Sequence, residues 1–157
     1  MIRFVAVCAA VLLAAGTVHA KDGDCRASGL CNWSDAHGAD FSGRDLTEGT
    51  FEAANLKGAV FRGAKLASVV FQTADTSQAD FRQADLPGAS FFAAQANGAN
   101  FAGANLRGAN FTRADLGRAD FRGAKMDGAT LFIHAKLGGA VWTDGRVCGA
   151  ASQGHCE

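Results

Sequence analysis

"ANFAGANLRGANFTRADLGRADFRG", residues 99–123, sets Phe101, Leu106, Phe111, Leu116 and Phe121 five residues apart, with Ala two places before each. A strand repeats its buried face every second residue and a helix every third or fourth. Five residues of α-helix rotate the chain by about 140°, so the large residues would wander round it and form no face. The frequent Gly would also cost about 1 kcal/mol each against Ala in a helix interior. In a straight strand, side chains five apart point to opposite faces.

The conflict disappears if the chain turns a corner once per five residues. Ala and the large residue two places later then share the inner face, and the Asp or Asn between them points outward. The corner falls two places after each large residue, where Gly is common, and polar residues such as Gln83 and Arg113 stand in for it elsewhere; Gly tolerates the backbone angles a turn needs. Four corners close a square of about twenty residues, and successive squares stack about 4.8 Å apart through strand-like pairing.

Nineteen such centres run from Phe41 to Leu131, and only Thr76 and Ala96 among them are not large and apolar. Ala stands two places before sixteen of them, which makes the repeat the dominant feature of the chain. Taken four at a time, the centres form four walls. Wall 1 carries Phe41, Phe61, Phe81, Phe101 and Phe121; wall 2 carries Leu46, Leu66, Leu86, Leu106 and Met126. Wall 3 carries Phe51, Phe71, Phe91 and Phe111, facing wall 1. Wall 4, with Leu56, Thr76, Ala96 and Leu116, is underfilled in its middle. The register is expected to slip by one residue near Ile133-His134 and to resume at Leu137 and Trp142.

The units "ANFAG", "ANLRG", "ADLGR" and "ADFRG" closely resemble the pentapeptide repeat proteins over residues 39–132. That resemblance implies an all-β fold, a right-handed quadrilateral β-helix of about five coils with the central and Ala positions filling its interior. A solenoid exposes core and unpaired backbone at its ends, so it needs caps. The expected organisation is a signal peptide at 1–20, an N-terminal cap at 21–38, the β-helix at 39–142 and a C-terminal cap at 143–157. The tail "WTDGRVC" also looks like the ending of other exported members of that family.

Residues 1–20, MIRFVAVCAAVLLAAGTVHA, read as a secretory signal: Arg3, an apolar run from Phe4 to Ala15, then a small-residue cleavage site. The run is too short to span a membrane comfortably, so the mature chain is expected in the periplasm or outside the cell. It keeps Cys25, Cys31, Cys148 and Cys156. Oxidising surroundings favour two disulfides, with Cys25–Cys31 and Cys148–Cys156 expected among three pairings. Zinc is the rival reading, with His37, His134 or His155 as further ligands, but the spacings fit structural zinc sites poorly.

Basic and acidic residues balance at 15 each, which favours neither nucleic acid nor an anionic membrane as partner. No phosphate loop, nucleophile elbow or paired metal-binding histidines occur, so no catalytic residue, metal or cofactor is expected. Asp40, Asp80 and Asp120 line up on wall 1 beside Arg62, Arg82 and Arg122. They form either an ionic docking ladder or a charge-compensated solvated face, and the second is favoured because exposed pairs contribute only about 0–1 kcal/mol. On wall 3, Val70, Phe92, Thr112 and Phe132 are candidate partner contacts, with few charges besides Glu52 and Arg113. Alternatively Phe132 turns inward at the slip and Phe92 is a single tolerated apolar residue.

The resulting expectation is a monomeric, noncatalytic, exported scaffold that binds a macromolecule, in all expectation a protein. One alternative is a DNA mimic that protects gyrase, as some family members do; export and neutral walls disfavour it. The other is a hydrolase with its site in a cap.

Overall fold

The computed structural model describes residues 31–157. The signal sequence, Cys25 and residues 21–30 of the expected N-terminal cap lie outside the described residues.

Within them the backbone is a ladder of single parallel bridges in four columns. Asp40 pairs with Val60, Val60 with Asp80, Asp80 with Asn100 and Asn100 with Asp120, each twenty residues on. The other columns start from Asp35, Asp45 and Thr50 and keep the same interval as far as Lys125. Between bridges the chain makes a four-residue turn, as when the Ala54 N–H donates to the Phe51 carbonyl at 3.1 Å. Its third residue has positive φ, the mark of a type II turn. Gly supplies it at many corners, but Ala53 (φ 53°), Ala93 (φ 54°) and Arg113 (φ 62°) also adopt it. The stacked coils over-determine the backbone there, because the N–H of the corner residue also donates to the next coil, Ala53 to Gln72 at 2.9 Å.

The interior follows the five-residue spacing. From Ala54 to Phe121 every centre and every residue two places before it is buried. Phe rings stack down walls 1 and 3, 4.9 Å apart for Phe61 and Phe81 and 4.7 Å for Phe71 and Phe91. Across the interior the two Phe columns meet edge to face, with Phe81 and Phe91 at 5.5 Å and 87°, the geometry the ring quadrupole favours. On wall 4 the buried Thr76 hydroxyl donates to the Gln95 carbonyl at 3.1 Å, so no polar group is stranded there.

Two expectations need correction. Coil geometry begins before residue 39: the Cys31 N–H donates to Thr50 and the Ala36 N–H to Asn55, with both side chains in the core. Residues 31–38 are therefore part of the solenoid, and Trp33 is an exposed corner residue at φ 59°. The slip also comes earlier than Ile133-His134. Asn105 pairs with Lys125 at the usual interval, but Asn110 pairs with Leu131, twenty-one on. The extra residue lies in the loop 127–130. There the Asp127 carboxylate accepts from the N–H of Gly108 at 3.0 Å and of Ala129 at 3.1 Å. Leu131 becomes an outward bridge residue, 40% exposed, and Phe132 takes the core position.

At the C-terminus the chain doubles back. Val147 and Gln153 form antiparallel bridges with Val141 and Lys136, and a disulfide joins Cys148 to Cys156. No helix of the described residues is long and apolar enough to cross a membrane.

Candidate functional site: the outer surface of wall 3

Wall 3 is built by the units centred on Phe51, Phe71, Phe91, Phe111 and Phe132. Each inward ring fixes its neighbours outward: the residue before it forms the bridge, and the residue after it sits on the turn. Val70 is therefore a bridge residue between Thr50 and Ser90. Phe92 and Thr112 occupy equivalent turn positions one coil apart, and all three are half-buried. The Arg113 guanidinium lies 5.9 Å from the Phe92 ring centroid, within cation–π range. The Thr112 N–H is turned back onto Asn110 Oδ1 at 2.9 Å.

Phe132 does not join this outward set. It is 9% exposed and stacks on Phe111, so of its two sequence readings the inward one describes the molecule. The one-residue shift puts Ile133, 52% exposed, in the turn position below Thr112, and Leu131 in the bridge position beside it. Sequence reasoning missed both. The signal was the apolar triplet Leu131-Phe132-Ile133, of which only one member can face the core.

Wall 1 holds the charged groups, but not as a continuous ladder. Asp80 accepts from both Arg82 (2.7 Å) and Arg62 (2.6 Å). These hydrogen bonds, Arg82 foremost, hold its carboxyl well below the usual carboxylate range. Asp120 is served by Arg122 alone at 2.6 Å, and Asp40 by the Ser42 N–H at 2.8 Å. Asn100 interrupts the column between Asp80 and Asp120. The charges compensate locally.

His37 contacts Asp35 at 3.1 Å and His155 contacts Glu157 at 2.6 Å, both on the surface, while His134 occupies a corner at φ 57°. Among the described residues no group of three or more His, Cys, Asp or Glu side chains is placed to hold a metal ion. Among the described residues, shallow hollows of about 380 and 360 Å³ lie on the surface. The first runs along wall 4 over Asn97, Gly117 and Arg118; the second lies at the C-terminal end under Met126, Phe132 and Trp142.

A stacked four-cornered solenoid with inward Phe and Leu defines a class of repeat protein. The model for pentapeptide repeats (8 copies) matches residues 37–72, 64–101 and 97–131, and the chain belongs to the pentapeptide repeat family. Among solved structures it is similar to the pentapeptide repeat protein Rfr23 of the cyanobacterium Cyanothece. That match has 28% identity and a TM-score of 0.58 over 59% of this chain and 63% of the other. HetL, a pentapeptide repeat protein of Nostoc involved in heterocyst differentiation regulation, is 25% identical. It is matched over 75% of this chain and 61% of its own, with a TM-score of 0.34. A pentapeptide repeat protein from the Arabidopsis thaliana thylakoid lumen is 35% identical over 76% of this chain and 69% of its own, with a TM-score of 0.34. This chain thus spans less than two thirds of the length of the first two. A comparison with curated proteins gave no match. The family membership and the likeness to Rfr23 imply a right-handed quadrilateral β-helix, and members of the family are generally structural or binding modules rather than enzymes.

Proposed function

We propose that the chain is a noncatalytic, exported protein-binding scaffold of about five coils whose wall 3 is its contact surface. The observation that carries this reading is Phe92, an aromatic ring held on a rigid wall and covered on one side by Arg113. Aromatic and Arg side chains dominate binding energy at protein interfaces, and a ring on a fixed backbone loses little entropy on burial. Val70, Thr112, Leu131 and Ile133 extend the surface without adding charge. The second expected class, a DNA mimic, needs a continuous acidic face, and the pairing of Asp80 and Asp120 with Arg speaks against it.

A photo-crosslinking side chain placed at position 92 of the exported protein tests the reading. The expected result is one discrete adduct with a periplasmic or extracellular protein, absent when the probe replaces Arg107 on wall 2. Equal labelling from both positions contradicts it.

A further inference from the structure

The solenoid ends in a step. The returning tail forms one more layer under walls 4 and 1: the Leu137 N–H donates to Ser152 at 3.0 Å, Gly139 to Cys148 at 3.0 Å and Trp142 to Arg146 at 2.8 Å. Among the described residues walls 2 and 3 receive no such backbone-paired layer, and the tail reaches wall 3 at Gly154, beside the Phe132 carbonyl. In every earlier coil the N–H of a centre donates to the coil below, and the carbonyl two places before the centre accepts from it, as Phe61 and Ala59 do with Asp80. Met126 and Phe132 are centres too. Among the described residues no backbone carbonyl meets their N–H groups, and no backbone N–H meets the carbonyls of Ala124 and Thr130.

Directly beneath these groups lies the hollow of about 360 Å³, lined by Ala124, Met126, Asp127, Thr130, Phe132 and Trp142 among others. It is the open end of the hydrophobic interior, where the next ring of each column would sit. Phe132 and Trp142 flank it, 5.2 Å apart.

We infer that this end is a second docking site, for an extended polypeptide segment of a partner that adds one layer to walls 2 and 3. A carbonyl and an N–H two residues apart are met together by a single residue of a parallel strand, through its own N–H and C=O, as at every bridge above. The residue that follows then enters the hollow and stacks on Phe132, as Phe132 stacks on Phe111. The residue preceding the bridge falls under Thr130, where the solenoid elsewhere places Ala. The partner segment is therefore small–any–aromatic or large aliphatic, with no charge at its third position. This rests on the reading of the chain as a binding module, but uses no residue of the Phe92 surface.

The test uses the Trp33→Phe variant, which leaves Trp142 the one fluorophore of its kind. The probe is a capped ten-residue peptide copying residues 104–113, the segment that pairs with Lys125 and Leu131 from above. The control peptide carries Ser in place of its Leu and Phe. The expected result is a saturable change in Trp142 emission and exchange of the Met126 and Phe132 amides slowed about ten-fold by the first peptide alone. Phe92→Ser should leave both signals intact, and Thr143→Arg, at the rim of the hollow, should abolish them. Equal response to the two peptides, or to neither, overturns the inference. So does protection of the Phe132 amide in the protein alone, which means the chain's own segment covers the edge. Protection that rises with protein concentration together with a dimer's sedimentation overturns it in favour of a second copy. Failure here with the position-92 adduct retained leaves the wall 3 reading standing.

Discussion

Phe132 lies against Phe111 with ring centroids 5.1 Å apart and planes 8° from parallel, although twenty-one residues separate them rather than twenty. The loop 127–130 absorbs the extra residue so that the Phe column continues. Burying this ring and leaving Leu131 outside therefore decides the local register. Phe132→Ala should cost about 3–5 kcal/mol through the cavity it opens, and Leu131→Ala less than about 1 kcal/mol. Urea midpoints of the two variants measure this. The reverse order would place Leu131 in the core.

This detail also marks how far the sequence could be read. The period of five, the corner two places after each centre and the opposed Phe walls were legible because steric demands repeat identically in every coil. The slip was not. Ala129-Thr130-Leu131 imitates the small–polar–large unit, and the backbone chooses Phe132 only because its ring completes a stack. The coil at Cys31 and Ala36 was hidden for a related reason, since small centres do not stand out from a nonrepetitive segment. On wall 3, Phe92 was visible as an exception to the pattern, whereas the Arg113 contact depends on the distance between coils.

Ala93 holds φ at 54° beside Phe92. An L-residue with a Cβ pays about 1–2 kcal/mol for that conformation, and Gly does not. Ala93→Gly should raise stability by about 0.5–1 kcal/mol, the unfolded-state entropy of Gly offsetting part of the relief. Thermal unfolding of the variant checks it; a fall in midpoint would mean the Cβ contributes packing that the corner geometry does not suggest.

Asp80 is held ionised by Arg82 and Arg62, so its folded pKa lies below the unfolded one. Such a group contributes stability that is fully present above the unfolded pKa, near 3.8, and is lost as pH falls through the depressed folded value. Asp80→Asn should therefore destabilise at pH 6 by no more than about 1 kcal/mol. The gap to the unsubstituted protein should narrow below about pH 4, where the unfolded chain's carboxylate takes up its proton while the folded one stays ionised. A gap that widens towards low pH would contradict the assigned cause.

The Cys148–Cys156 bridge joins cysteines eight positions apart on the tail layer. Its removal by Cys148→Ser with Cys156→Ser should cost about 2–3 kcal/mol if loop entropy dominates. The loss should be local first, with the Leu137 and Gly139 amides exchanging faster while Phe81 and Phe91 keep their protection. Uniform loss of protection would mean the tail and the coils unfold as one unit.

Export should remove residues 1–20 and leave Cys25, Cys31, Cys148 and Cys156 all oxidised. Intact mass of the secreted protein, with and without reduction before alkylation, reports both. A retained Met1 or alkylation without reductant would contradict the exported reading.

The most direct test of the account compares two surface substitutions in one binding measurement. Phe92 and Arg62 both stand immediately after a centre and point outward, but on walls 3 and 1. With the partner captured by crosslinking at position 92, its affinity is measured for the unsubstituted protein, Phe92→Ser and Arg62→Ser. Phe92→Ser should weaken binding at least about thirty-fold, the loss of an interface anchor of about 2 kcal/mol, with unfolding unchanged. Arg62→Ser should leave binding as it was, because Arg82 still serves Asp80. If Arg62→Ser releases the partner and Phe92→Ser does not, the charged face of wall 1 is the binding surface and the assignment to wall 3 is wrong.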